Sequence, residues 1–149
     1  KKPSAIKETK IKISINKIEL DINTVDATSL TQLHGIGSIL SKRIIAYREK
    51  LGGFYKKEQI REVYGISLET YNLIESKIRI KDSILSFINV NVCSSDELRR
   101  HPYFNWNLAN SIVNFREQHG LFESIEKIKS THLVNDEIYR KIAPYLTIE

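Results

Sequence analysis

The sequence predicts an all-α protein of two tandem domains, each a pair of short helical hairpins, behind an extended N-terminal arm. Two internal repeats and one spacing pattern predict it. Sliding the 149-residue chain by 68 positions aligns its halves without a gap. Asn23 falls on Asn91, Leu30 on Leu98, Leu40 on Leu108, Ile44 on Ile112, Arg48-Glu49 on Arg116-Glu117, Gly52 on Gly120 and Phe54 on Phe122. Inside the first half a repeat of 30 lays "LTQLHGIGSILSKRI" over "IREVYGISLETYNLI". The chain is therefore four related units, each reading helix, short turn, helix. Ile36, Leu40, Ile44, Ile45 and Tyr47 recur at three and four residues, the stripe of an amphipathic helix.

The elements follow in order. Residues 1–18 form a basic arm, its first ten residues a flexible linker. Ile11, Ile13 and Ile15 alternate with polar residues, and Ile18, Leu20 and Ile22 alternate in the opposite phase. That pattern predicts an extended strand over 11–22 with a bulge near Asn16-Lys17. The first hairpin-pair domain spans 19–80, with helices near 27–33, 38–50, 57–63 and 68–78. Gly52-Gly53 stops the long helix, because glycine takes a left-handed C-terminal position without penalty. The second domain spans 81–149, with helices near 95–101, 106–118, 125–131 and 136–145. Ser94-Ser95-Asp96-Glu97 reads as a capping box, and Ser67 and Asn135 as N-caps of the last helix in each copy.

Composition narrows the chemistry. The net charge is +5 and the pI about 9.3, a balance that points towards nucleic acid. The excess is local: residues 1–18 carry six lysines and one glutamate, 19–80 nine basic and eight acidic side chains, and 83–149 seven and eight. The folded portion is thus close to neutral. No apolar run approaches the ~20 residues of a membrane span. The chain lacks methionine, which reads as a fragment or a processed chain. A single cysteine, Cys93, excludes an internal disulfide framework and a cysteine-based metal site, and reads as a small residue before a helix start. His34, His101, His119 and His132 have no second ligand at metal spacing. Neither a Ser/His/Asp nor a Cys/His arrangement stands out. Gly35-Ile36-Gly37 lacks the third glycine and preceding strand of a dinucleotide fingerprint. The expectation is a protein without enzymatic activity, cofactor, metal or small-molecule substrate.

The turn "LHGIG" is the place to look for binding. Leu30 and Leu33 anchor the first helix, Ile36 tucks inward, and Gly35 and Gly37 present no Cβ. The next helix starts at about Ser38 with N–H groups pointing out of its end, a small anion site. Gly35, Ile36, Gly37 and Ser38 are the expected backbone donors to a phosphate, with Lys42 and Arg43 adding charge. Gly65, Ile66 and Ser67 of "YGIS" form a weaker second contact. Lys7, Lys10, Lys12 and Lys17 of the arm add screened attraction. Contacts of this kind hold a nucleic-acid backbone and read no bases. Arg48 and Arg116, repeated beside Glu49 and Glu117, read as a shared structural pair or cap. Tyr103, Phe104 and Trp106 read as core rather than as an aromatic binding surface.

"DINTVDATSLTQLHGIGSILSKRIIAYREKLGGF" resembles the helix-hairpin-helix domain of the ComEA competence DNA receptors. Both start with an Asn-Thr segment, followed by Leu-x-x-Leu-x-Gly-Ile-Gly, an Ile-Ile-x-Tyr-Arg helix and a Gly-x-Phe turn. The resemblance covers residues 19–149. "LGGFYKKEQIREVYGI" and "HPYFNWNLANSIVNFREQHGLF" look like the tandem versions found in Bacteroidetes. It implies an all-helical fold of two hairpin-pair domains and sequence-independent DNA binding; with the folded portion near neutral, the expectation is weak binding of double-stranded DNA, in DNA uptake or handling. It also implies tethering outside the inner membrane by an N-terminal helix that this chain does not contain. The chain departs from the family at Leu40, where a lysine is usual. It departs also at "YGIS", which keeps one glycine, and at "HPYFNW" and "HLVN", which keep none. Those departures support an alternative: a protein-interaction or spacer module of an envelope protein that binds no DNA.

Overall fold

The computed structural model describes residues 19–81 and 86–149. The elements run β1 (Leu20–Asp21), α1 (Ala27–Leu30), α2 (Ser38–Leu51), a 3-10 turn (Lys57–Glu62), α3 (Leu68–Ile74) and β2 (Ile78–Arg79). The second copy repeats them as β3 (Ile88–Asn89), α4 (Ser95–Arg99), α5 (Trp106–His119), a 3-10 turn (Ile125–Ser130), α6 (Asp136–Ile142) and β4 (Leu146–Thr147). The fold is mostly helical, as the repeats predict. Among the described residues two compact units form, 19–45 with 56–81, and 46–55 with 86–149.

One turn, used four times, builds both units. In each hairpin a buried apolar residue closes a tight bond back three positions. Ile36 N–H donates to the Leu33 carbonyl, Ile66 to Val63, Phe104 to His101 and Val134 to Thr131, all at 3.1 Å. The four residues are nearly fully buried, so each bond and its apolar plug fix the hairpin together. The helix that follows is capped in three of the four. Ser67 Oγ accepts from Thr70 N–H at 3.1 Å, Asn105 Oδ1 from Leu108 N–H at 2.8 Å, and Asn135 Oδ1 from Ile138 N–H at 2.8 Å. The Ser94 hydroxyl caps α4 by accepting from Glu97 N–H at 3.1 Å. Asp26 does the same for α1 from Ser29 N–H, which holds its carboxyl below the usual range.

The structure corrects several expected elements. The segments expected as helices at 57–63 and 125–131 are six-residue 3-10 turns. Ile60 is buried within the first of these turns, and Val63, also buried, follows it in extended backbone. The helices expected over 68–78 and 136–145 end as α-helices at Ile74 and Ile142 and pass through a short 3-10 turn into a strand. Of the strand expected over 11–22, residues 11–18, with the proposed bulge, lie outside the described residues, as does the linker before them. What is described is β1, which pairs with β2 in parallel, Leu20 opposite Ile78. β3 pairs with β4 in the same way, Ile88 opposite Leu146. Neither pairing was expected from the sequence, because two-residue strands leave no alternation to read.

The core of the second unit gathers Val90, Cys93, Leu98, Phe104, Leu108, Ala109, Ile112, Phe122, Ile128, Val134, Ile142 and Leu146. Cys93 packs there as a small apolar side chain, and burial pushes its thiol pKa up. Two polar residues repeated from the first copy tie this core. Arg116 donates to the carbonyls of Val90 and Cys93, both at 2.8 Å, the structural role expected of it. Asn91 Nδ2 donates to the carbonyls of Phe122 and Ile148, and its Oδ1 accepts from Phe122 N–H at 2.7 Å. His101, buried, accepts from Tyr103 N–H at Nδ1. The ring proton therefore sits on Nε2, which donates to the Leu51 carbonyl at 2.8 Å.

Candidate nucleic-acid interface

The first unit brings its two hairpins side by side, and the glycines show how closely. Gly65 has φ +95°, and a Cβ there would stand 2.8 Å from both Leu40 Cδ2 and the Arg43 guanidinium. Gly35 has φ +89°, and a Cβ would meet Thr70 Cγ2 at 3.5 Å. Both glycines are therefore required by backbone conformation, and Gly65 by close packing as well. Gly65→Ala is expected to cost about 2 kcal/mol of stability, since left-handed strain is joined by displacement of Leu40 and Arg43; urea denaturation measures it. The departure at Leu40 has its reason here: the leucine packs over the neighbouring hairpin.

Gly37 is different. It does not have a positive φ, and a Cβ on it would meet nothing within 4 Å. It stands directly before α2, with its carbonyl accepting the first helical bond from Ser41 N–H at 2.9 Å. That is the N-cap position, filled by Ser67, Asn105 and Asn135 in the other three hairpins. A glycine there supplies no side-chain acceptor, so α2, a 14-residue helix, is the one following a hairpin that starts without a cap from its own sequence. Gly37 therefore leaves open the space that a capping side chain fills in the other three hairpins, at the positive end of the helix dipole.

The other expected contacts divide. Ile36 and Ile66 are plugs whose N–H groups are committed to Leu33 and Val63, so neither is the backbone donor the sequence suggested. The Ser67 hydroxyl is occupied as a cap. Ser38 and Lys42 are exposed on α2. Arg43 donates from one guanidinium nitrogen to the Tyr64 carbonyl at 3.2 Å and lies 4.8 Å over the Tyr64 ring. Tyr64, which the sequence did not single out, is 82% exposed beside Gly65. Its only sequence signal was its place one residue before the hairpin glycine.

The second unit has rebuilt its first hairpin. Pro102 has no N–H, and the N–H groups of Tyr103 and Phe104 are taken by His101. Phe104 is core, as expected, and Tyr103 is half-buried against the His101 and Tyr145 rings. Trp106 is not: it is 53% exposed at the first position of α5, with the Arg99 guanidinium 4.5 Å from its ring.

The helix-hairpin-helix motif model matches residues 15–79 and again 86–147. The chain belongs to the helix-hairpin-helix family. Among relatives of this helix-hairpin-helix chain, Endonuclease/exonuclease/phosphatase family domain-containing protein 1 of Danio rerio is 25% identical over 155 residues, covering 92% of the chain and 28% of that protein. ComE operon protein 1 of Bacillus subtilis is 37% identical over 62 residues, covering 42% of the chain and 30% of that protein, in line with the ComEA-like resemblance. Protein tex of Bordetella pertussis is 33% identical over 49 residues, 33% of the chain and 6% of that protein. The chain thus spans less than a third of the length of these relatives. No solved structure matches it. No helix among the described residues is long and apolar enough to cross a membrane. Nor do the described residues hold a group of three or more His, Cys, Asp and Glu placed to bind a metal ion.

Proposed function

We propose that this chain is a non-catalytic module that binds double-stranded DNA without regard to sequence, in DNA uptake or handling. The contact is the backbone at Gly37 and Ser38, with Gly35 shaping the turn and Lys42 adding charge. The observation that carries this reading is Gly37: the fold does not require a glycine there, and the missing side chain leaves the start of α2 open. A phosphate oxygen fits such a helix start, because unsatisfied N–H groups and the helix dipole act together on an anion. Membership of the helix-hairpin-helix family and the ComEA-like resemblance support DNA as the source of that phosphate. Arg43, held on Tyr64, places a guanidinium beside the second hairpin.

Titration of a fluorescently labelled random-sequence duplex at several salt concentrations tests it. With about four phosphates neutralised, log K is expected to fall against log[salt] with a slope near −3.6. Exchanging the duplex for another of unrelated sequence should leave K unchanged. Absence of binding at low salt overturns the reading and selects the protein-interaction or spacer module, for which the near-neutral folded portion speaks.

A further inference from the structure

The second unit cannot use the cradle of the first. Its hairpin has a proline at position 102, committed N–H groups at 103 and 104, and an asparagine cap that takes the Leu108 donor. By the 68-residue register Trp106 stands where Ser38 stands in the first unit. The serine beside an open helix start has become a large aromatic ring beside a capped one. Arg99 lies 4.5 Å over that ring and also meets Asp96 at 3.1 Å. The indole remains 53% exposed even so. Arg99 and Arg100 lie together on the neighbouring surface, beside Asp96 and Phe104.

We infer that Trp106, with Arg99 and Arg100, is a stacking site for an unpaired base of single-stranded DNA. The inference rests on the nucleic-acid reading above and adds to it a second substrate form, held by a different chemistry. A flat ring with a guanidinium on it offers a base π-stacking and cation–π attraction, and every base presents a π-face, so the site is tolerant of sequence. An intact duplex hides those faces, so the site selects unpaired strands, overhangs and frayed ends. The acidic neighbours Asp96 and Glu97 offset the two arginines, so stacking rather than phosphate charge supplies the affinity here.

Trp106 is the only tryptophan in the chain and reports its own occupancy. The whole chain is titrated with an oligothymidylate 20-mer and with an abasic 20-mer carrying the same phosphates. Binding of the labelled duplex is followed in parallel by anisotropy. Saturable quenching of Trp106 fluorescence by the thymidylate strand and none by the abasic one is expected. Trp106→Ala should weaken the thymidylate strand about tenfold by anisotropy, Trp106→Phe less, and leave the duplex affinity unchanged. Equal quenching by both strands, or wild-type thymidylate affinity in Trp106→Ala, overturns the stacking site. Duplex binding with an unresponsive Trp106 sinks this inference and leaves the duplex reading standing. Loss of both signals sinks the two together.

Discussion

Gly37→Asn is expected to raise the thermal stability of the first unit slightly while lowering its affinity for duplex DNA at least tenfold. The two effects come from one group. In the second unit Asn105 already shows what an asparagine does at this place, accepting from Leu108 N–H at 2.8 Å. At position 37 the side chain would accept in the same way from Leu40 N–H and occupy the space a phosphate oxygen needs. No packing is disturbed, since a Cβ there meets nothing within 4 Å. An asparagine N-cap is better than glycine by a few tenths of a kcal/mol, which is about 1–2 °C in Tm for a unit of this size. Each hydrogen bond lost to a charged oxygen is worth about 1.5–3 kcal/mol, hence the tenfold or greater loss of affinity. A thermal scan and a duplex titration at one salt concentration check both signs. A glycine kept for structure would give the reverse, a loss of stability with binding intact. Unchanged affinity in Gly37→Asn would remove the basis for the proposed contact.

Asn91→Ala should unfold the second unit at markedly lower denaturant, with a cost of about 3 kcal/mol. Three hydrogen bonds vanish together, and the Phe122 N–H that Oδ1 receives at 2.7 Å is left without its acceptor. The carbonyls of Phe122 and Ile148 lose their donor at the same time. Because the side chain joins segments 31 and 57 residues away, no local rearrangement replaces it. Asn91→Asp keeps the acceptor but sets a carboxylate oxygen against the carbonyls of Phe122 and Ile148, so its cost should be at least as large as that of the alanine variant. Trp106 fluorescence reports the second unit during urea denaturation, and circular dichroism reports both units. The two probes should part company in Asn91→Ala, with the Trp106 transition moving first.

The repeat made much of this fold legible before any coordinates. All eight expected helical segments begin where the structure begins them, because each start is tied to a turn residue or a cap that recurs at a fixed offset. The identities shared at 68 residues, Asn91 and Arg116 among them, turn out to be scaffold ties rather than binding groups. Their repetition was the available signal, and the partners they bridge were not visible because those partners are backbone carbonyls distant in sequence. The hairpin glycines were equally prominent as letters and proved unequal in space. Gly35 answers to backbone angle and Gly65 to backbone angle and the neighbouring hairpin, whereas Gly37 answers to neither, and angle and neighbourhood are tertiary properties. Arg43 read as a cation on an exposed helix; only the fold brings Tyr64 beneath it. Trp106 was grouped with Tyr103 and Phe104 by proximity in sequence, and the turn sends Phe104 inward while leaving the indole in water.

The two-residue strand pairs have a consequence for how such a chain grows. Each pair sets the first residues of a unit against its last, Leu20 beside Ile78 and Ile88 beside Leu146. A module whose entrance and exit adjoin can be copied end to end in a gene, or spliced into a surface loop of another protein, without prising its host apart. Once copied, a module is released to diverge at its turns while its clasp stays fixed. The second unit carries that history: the same clasp and the same ties, around a hairpin whose two glycines have become tyrosine and asparagine.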